Sequence, residues 1–238
     1  MNKKINISII GTRGYPYVYS GYETFVKQLS ERLVLKNCNV TVYCHKGLFK
    51  IRPKEIKGIK LVYVPTIETK ILSQPIHSFL SIIHACFSST DVVLVVNSAN
   101  GPFGLITKLF RIPTAINVDG LEWLRPKWKG LGSIYFKWAS KMATLFYDQI
   151  INDSDEMRKV YLSLFKRDSK VIAYGADIRK SKNPELITTW DIKQREYYLV
   201  IGRLIPDNNA DLIIKGFLKS NSNKKLVIVG DVPYKDSY

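Results

Sequence analysis

Hydrophobic residues along the chain form short, nearly unbroken runs that alternate with amphipathic segments. Runs rich in Ile and Val that lack polar alternation are typical of parallel strands covered on both faces. Between them apolar residues recur at helical spacing, as at Tyr22, Phe25, Val26, Leu29 and Leu33. The runs predict strands over 5–10, 39–44, 59–64, 91–96, 113–118, 149–153 and 170–174. Strand–helix alternation of this kind predicts an α/β fold, a Rossmann-like doubly wound parallel sheet.

The domain organisation follows from a break in this rhythm. Residues 176–196 are polar and contain Pro184, which indicates a linker. The pattern restarts with a strand at 197–202, a helix at about 209–218 and a strand at 225–230. We therefore expect a first domain over 1–175, a linker over 176–196, and the start of an incomplete second Rossmann-like domain over 197–238.

The amino-acid composition indicates which class of protein the chain belongs to. The 238 residues are 46% hydrophobic and 24% charged, which is typical of a globular protein rather than a disordered one. Three scattered cysteines form no CxxC pair and are expected to be buried thiols in a reducing compartment. No signal peptide is apparent, and no apolar run reaches the roughly 18–20 residues of a membrane span. The sequence thus predicts a cytoplasmic location.

The net charge of +16, from 36 Lys and Arg against 20 Asp and Glu, favours a polyanionic partner. Lysines and arginines concentrate in residues 46–60 and 125–146, and in the second stretch they are interleaved with aromatic residues. Basic residues beside exposed aromatics suit an anionic membrane surface. Lysines that face solvent on helices whose aromatic residues pack into the core would give the same sequence pattern. No nucleic-acid motif is recognised, so we expect no nucleic-acid partner.

The loop after the first strand carries the strongest candidate for phosphate binding. Gly11 and Gly14 follow the strand, and Gly21 opens the next helix. Glycines allow close backbone approach, and a helix N-terminus offers N–H groups to an anion. The spacing matches neither GxGxxG nor GxxxxGK[ST], so a dinucleotide fingerprint and a P-loop are disfavoured. Arg13 favours an anionic ligand. Glu23, just inside this helix, is a candidate acceptor-binding residue. A tight turn without a ligand would give the same glycines, and Glu23 would then simply complement the helix dipole.

Two further loops follow predicted strands. In "NVDGLEWLRPKW" the carboxylates of Asp119 and Glu122 are candidate catalytic groups that could orient or deprotonate a sugar hydroxyl. Trp123 and Arg125 beside them are candidate acceptor-binding residues, because aromatic rings stack on sugar rings. A polar loop with an aromatic lid is the alternative. In "IGRLIPDNN" a Gly–Arg pair at 202–203 offers close approach and a guanidinium fork to phosphate, unless the loop is a solvated turn.

Five segments together resemble retaining glycosyltransferases of family 4. They are "GTRGYPYVYSGYETFVKQL", "NVDGLEW", "NDSDEM", "YGAD" and "YYLVIGRLIPDNN". The sequence is most similar to the bacterial rhamnosyltransferase-like branch that builds capsule and surface polysaccharides. The resemblance runs from about Ile5 to the end of the sequence.

This resemblance implies a GT-B architecture, in which two Rossmann-like domains hold a nucleotide-sugar. The loop from Gly11 to Gly21 would contact donor diphosphate and acceptor, Asp119–Trp123 would be the active-site loop, and Arg203 would bind donor phosphate. Asn208 stands where many relatives have a phosphate-binding lysine. The resemblance further implies dTDP-rhamnose as candidate donor, a lipid-linked saccharide acceptor, peripheral attachment at the inner face of the plasma membrane, and no bound metal or cofactor.

The sequence departs from the family pattern in ways that leave alternatives open. Ser20 stands where many relatives have Gly, and the sequence stops before the region of the family's Glu-x7-Glu donor motif. A partner supplying the rest of the donor domain is therefore an expectation, and so is a truncated, non-catalytic acceptor- or membrane-binding module. A nucleotide-dependent oxidoreductase is disfavoured, because GxGxxG is missing and no acidic residue ends the second strand.

Overall fold

A computed structural model describes residues 4–17, 20–67, 69, 72–118, 120–125 and 128–231. The chain divides into two compact units. The first unit comprises Met1–Leu124 and Trp128–Gly175, and the second comprises Arg125–Lys127 and Ala176–Tyr238. Among the described helices, none is long and apolar enough to cross a membrane.

Eight strands form the sheet of the first unit. They are β1 Asn6–Ile10, β2 Asn39–His45, β3 Glu55–Ile56, β4 Ile59–Val64, β5 Val92–Val96, β6 Thr114–Val118, β7 Gln149–Asn152 and β8 Lys170–Val171. The spatial order is β3-β4-β2-β1-β5-β6-β7-β8, and every neighbouring pair is parallel except β3 with β4. The order reverses between β1 and β5, so the ligand crevice of such a sheet is expected outside their carboxyl ends.

Helices cover both faces of this sheet. They are α1 Gly21–Leu35, α2 Ser73–Cys86, α3 Gly104–Leu109, α4 Leu131–Phe146 and α5 Asp155–Phe165. Successive strand residues point to opposite faces. Accordingly Ile9 packs in a cluster with Val26 of α1, while Ile10 packs in a second cluster with Ile82 of α2 and Phe136 of α4. Burial on both faces explains the unbroken apolar runs.

The second unit is smaller and more open. A 3₁₀ helix at Pro184–Trp190 precedes β9 Tyr197–Ile201, α6 Ala210–Lys219 and β10 Lys225–Val229. The two strands are parallel and in register from Tyr197↔Lys225 to Ile201↔Val229. One helix covers only one face of a two-stranded sheet, so much apolar surface of this unit is exposed.

The fold class predicted from the sequence is confirmed: the chain is a mixed α/β protein with a Rossmann-like, mainly parallel sheet. Some observed strands differ from the predicted ones at their ends. The predicted strand over 170–174 stops at Val171, because its partner β7 ends at Asn152, the residue that pairs with Val171. Strand β3 was not predicted, since a two-residue strand carries no periodicity.

Candidate functional site

The loop after β1 is pressed against the ends of two neighbouring strands. Gly11 and Gly14 have φ of +104° and +132°, a region that L side chains rarely adopt. A Cβ added at Gly11 would lie 2.3 Å from the carbonyl oxygen of Val96, and one at Gly14 would lie 2.8 Å from Cys44 Sγ. Packing within the first unit therefore accounts for both glycines, with or without a ligand.

Gly21 is in a different environment. It is the first residue of α1, and a Cβ added there would meet no described atom within 4 Å. The first N–H groups of a helix lack intrahelical partners and carry the positive end of its dipole. The described residues therefore leave the space beside Gly21 open, and phosphate binding at this helix terminus stays a prediction.

Glu23 closes the loop onto the helix. Its side chain is only 4% exposed. Its Oε1 accepts a hydrogen bond from the backbone N–H of Arg13 at 3.1 Å, and its Oε2 accepts from the N–H of Ser20 at 3.0 Å and from the Ser20 hydroxyl. Both carboxylate oxygens thus hold the two ends of the loop together. These are contacts of a loop clamp, and the acceptor-binding role of Glu23 stays a prediction.

A buried histidine pair, which the sequence pattern does not reveal, supports the same loop. The N–H of His45, the last residue of β2, donates to the Arg13 carbonyl at 3.0 Å. The His45 ring stacks on that of His77 from α2, with centroids 3.9 Å apart. Burial, and then the neighbouring His45, lower the pKa of His77 to about 3. The His77 ring is therefore neutral at neutral pH.

The acidic loop after β6 is described only in part. Asp119, the predicted catalytic carboxylate, lies outside the described residues. Glu122 is buried, and its Oε2 accepts a hydrogen bond from Trp128 Nε1–H at 2.8 Å. This bond fixes the loop beside the start of α4.

Trp123 does not present its ring for stacking on a sugar. It is 8% exposed and packs edge-on against Phe165, with centroids 6.1 Å apart. Its carbonyl accepts a hydrogen bond from the Ser133 hydroxyl at 2.7 Å. Arg125 is half-buried and belongs to the second unit. The acceptor-binding roles given to these two residues stay predictions.

Three asparagines at the carboxyl ends of adjacent strands were not singled out from the sequence. Asn97 follows β5 with φ of +76°, and its side chain accepts from the Ala99 N–H at 2.9 Å. Asn117 is buried in β6, and its Oδ1 accepts from the Tyr174 hydroxyl at 2.8 Å. Asn152 ends β7 fully buried, and its amide has no hydrogen-bond partner among the described residues. An Asn at or near the end of an apolar run is the signal that could have found them.

The candidate loop of the second unit follows β9. Arg203 is exposed, and its carbonyl accepts a hydrogen bond from Asn208 Nδ2 at 2.6 Å. A Cβ added at Gly202 would lie 3.2 Å from the same amide nitrogen. The Asn208 side chain therefore folds back onto its own loop, while the Arg203 guanidinium is on the surface. Phosphate binding by these three residues stays a prediction.

Comparison with known protein families assigns the chain to a family. The family described as "Domain of unknown function (DUF1972)" matches residues 4–177, which is more than half of the 238 residues. The chain belongs to the DUF1972 family. The DUF1972 match contains the glycine loop, the acidic loop and the histidine pair, and it ends at the start of the second unit. No curated protein matches the sequence.

Comparison with solved structures covers almost the whole chain, beyond the residues of the DUF1972 match. Sucrose-phosphate synthase from Thermosynechococcus elongatus is 13% identical, with a TM-score of 0.66 over 96% of this chain and 71% of that one. Anabaena HepE, in complex with UDP and glucose, is 13% identical, with a TM-score of 0.66 over 98% of this chain and 62% of that one. Arabidopsis thaliana UGT89C1, complexed with UDP-L-rhamnose, is 14% identical, with a TM-score of 0.55 over 100% of this chain and 67% of that one.

These neighbours are GT-B glycosyltransferases, and the DUF1972 chain shares their Rossmann-like fold. At 13–14% identity the likeness establishes the fold alone. The chain spans 62–71% of the length of these three structures.

Proposed function

We propose that the chain is a glycosyltransferase that moves a sugar from a nucleotide-sugar donor to a saccharide acceptor. The observation that carries this proposal is the fold match: 96–100% of the chain follows glycosyltransferase structures, two of which contain UDP or UDP-L-rhamnose. The opening beside the α1 N-terminus at Gly21 supports it, because a diphosphate could reach the helix N–H groups there.

The proposed roles follow from the chemistry of the side chains. Arg203 would neutralise the donor diphosphate as it leaves, without a bound metal. Arg13 and the glycine-loop backbone are candidate phosphate contacts of the first unit. The acceptor hydroxyl oxygen forms a bond to the anomeric carbon on the face from which the diphosphate departs, so that the configuration is retained, and the bond from that carbon to the diphosphate oxygen breaks. The diphosphate leaves with the electron pair, and the hydroxyl proton passes to Asp119. Glu122 keeps its loop in place through Trp128.

The finer parts of the proposal are the sugar, the acceptor and the stereochemistry. Resemblance to the rhamnosyltransferase-like branch of family 4 supports a retaining transfer of rhamnose from dTDP-rhamnose. The same resemblance supports a lipid-linked saccharide acceptor at the inner face of the plasma membrane, in the synthesis of a bacterial surface polysaccharide. The net charge of +16 suits an acceptor that carries a diphosphate.

A transfer assay tests the proposal. Radiolabelled dTDP-rhamnose and UDP-sugars are incubated with bacterial lipid extract and the purified chain. We expect label in the lipid fraction, reduced about 10²–10⁴-fold by Asp119→Asn through loss of the proton acceptor. Arg203→Ala is expected to weaken nucleoside diphosphate binding about 10-fold or more, measured by calorimetry, through loss of a charge-assisted hydrogen bond.

Matched controls separate these roles from general charge effects. Arg179→Ala removes an exposed arginine of the second unit, and Asp155→Asn removes a carboxylate from the first turn of α5. Both should leave transfer and binding unchanged. Nucleotide binding without transfer to any acceptor would favour the non-catalytic module. Absence of nucleotide binding by a folded chain would contradict the proposal.

A further inference from the structure

Three helices on one face of the first sheet leave apolar side chains in solvent. Along α4, Leu131, Ile134, Trp138 and Leu145 recur at helical spacing and form one exposed stripe. Phe87, just after α2, and Leu109 of α3 extend it. These six side chains are between 47% and 85% exposed. Contiguous exposed apolar surface of this kind marks an interaction site rather than ordinary surface.

Contacts between the three helices join these side chains into one surface. The Phe87 ring packs edge-on against Phe110 beside α3, with centroids 5.1 Å apart. Lys108 of α3 donates from Nζ to the Leu145 carbonyl of α4 at 3.0 Å. We call this surface the α2–α4 face.

The charged residues of the α2–α4 face all carry the same sign. Residues 73–90, 104–111 and 129–146 contain no Asp or Glu. Their exposed charged side chains are Lys108, Arg111, Lys129, Lys137 and Lys141. Acidic residues occur instead on α1, with Glu23 and Glu31, and on α5, with Asp155 and Glu156. The helices of the α2–α4 face therefore combine exposed apolar side chains with basic side chains and carry no acidic ones.

The arrangement along α4 fits the boundary between lipid headgroups and acyl chains. Lys137 and Lys141 flank the stripe on one side, so their ammonium groups could reach headgroup phosphates while Ile134 and Trp138 enter the acyl region. Trp is favoured at this boundary, where its ring is half apolar and half polar.

We propose that the α2–α4 face docks on an anionic lipid bilayer, with α4 lying in the interface. This proposal stands independently of glycosyl transfer, although it would bring a lipid-linked acceptor within reach. A second copy of the chain fits the face less well, because a two-fold contact would set five basic residues against the same five. Charge complementarity and the exposed tryptophan thus select an anionic lipid surface as the occupant.

Vesicle sedimentation tests the proposal with the full chain. Vesicles of phosphatidylglycerol and phosphatidylcholine are compared with phosphatidylcholine alone. We expect binding to the anionic vesicles that weakens with added salt. Lys137→Glu/Lys141→Glu should weaken it by at least about 20-fold, since each lysine near the surface contributes roughly fivefold. The matched control Lys50→Glu/Lys54→Glu reverses two exposed lysines near β3, and it should lose much less.

Two further measurements keep the test specific. Tryptophan emission should shift to shorter wavelength on anionic vesicles and lose that shift in Trp138→Phe. Ile134→Ser should weaken binding, whereas Leu35→Ser, at the exposed end of α1, should not. Failure to bind anionic vesicles, or equal losses in both lysine pairs, would overturn the proposal. Self-association that disappears with Ile134→Ser would instead assign the face to a second copy and would also overturn it.

Discussion

The two units of this chain each place a glycine-containing loop between a parallel strand and a helix, but the loops are built differently. The loop after β1 is buried, clamped by Glu23 and pressed against Val96 and Cys44. The loop after β9 is largely exposed, and the Asn208 amide holds it. The first loop is thus part of a core, while the second relies on local hydrogen bonds.

This difference shows two reasons for a glycine in such a motif. Either neighbouring backbone leaves no space for a side chain, or the missing side chain leaves the backbone open to a ligand. Gly11 is required by the close approach of β5, whereas Gly202 borders only a flexible amide. Among the described glycines of the second unit, Gly230 lies closest to neighbouring backbone. A Cβ added there would lie 1.9 Å from the Gly202 carbonyl oxygen. Of the motif glycines, Gly21 is the one at which an added Cβ would meet no described atom within 4 Å.

The largest expected effect comes from adding a methyl group to each loop. Gly11→Ala should lower the free energy of unfolding by about 3–5 kcal/mol, because it combines a severe overlap with a left-handed φ. Gly202→Ala should cost less than about 1 kcal/mol, since the Asn208 side chain can move. Urea denaturation followed by circular dichroism measures both. Equal losses would remove the distinction between a buried and an exposed loop.

Removing the hydrogen bonds of each loop should have a smaller effect. Glu23→Gln replaces one acceptor oxygen with an NH₂ group that would face an N–H donor, so we expect a loss of about 2–3 kcal/mol of unfolding free energy. Asn208→Ala removes an exposed hydrogen bond and should cost about 1 kcal/mol or less. A Glu23→Gln variant as stable as wild type would show that the clamp does not hold the first loop.

Acid sensitivity should belong to the first unit, which contains all three histidines. The folded pKa of His77 is near 3 and its ordinary value is 6.5, so the unfolded chain takes up the proton first as pH falls through this window. The free energy of unfolding should therefore fall by on the order of 2 kcal/mol between pH 7 and pH 5. His77→Gln should flatten this dependence. An unchanged slope in His77→Gln would contradict the assignment.

A weaker acid effect is expected from Glu31. The Tyr15 hydroxyl donates to Glu31 Oε1 at 2.7 Å, and with Lys57 and Lys27 it lowers the Glu31 pKa from 4.5 to about 2. A carboxyl with a depressed folded pKa contributes stability above pH 4.5 and loses it as pH falls towards 2. The stability difference between wild type and Glu31→Gln should shrink by about 1 kcal/mol between pH 6 and pH 3, allowing for solvent screening. A difference between wild type and Glu31→Gln that stays constant from pH 6 to pH 3 would contradict the prediction.

Much of the fold could be predicted because burial leaves a periodic trace. The Ile and Val runs identified the seven parallel strands of the first sheet, and helix α1 begins at Gly21, the glycine predicted to open it. The site was less predictable, because its contacts join residues distant in sequence. Nothing local to Gly11 shows that Val96 lies against it, and nothing local to His45 shows that His77 stacks on it.

Trp123 illustrates the same limit for side chains. In the sequence it stands in a polar loop beside carboxylates, which suggested a ring available to a sugar. In the fold the ring packs against Phe165, forty-two positions later in the chain, so it belongs to the core. Residue type and spacing therefore located the loop but not the direction in which this side chain points.

The central proposal is that a nucleoside diphosphate binds at the loops that contain Gly21 and Gly202. Backbone amide NMR of the isotope-labelled chain, titrated with dTDP and with UDP, tests it most directly. The account predicts saturable shifts of the Gly21, Gly202 and Arg203 amide signals, and no such shifts with thymidine or uridine, which lack phosphate. Saturable binding that leaves these three signals unmoved, or an absence of binding by a folded chain, would contradict it.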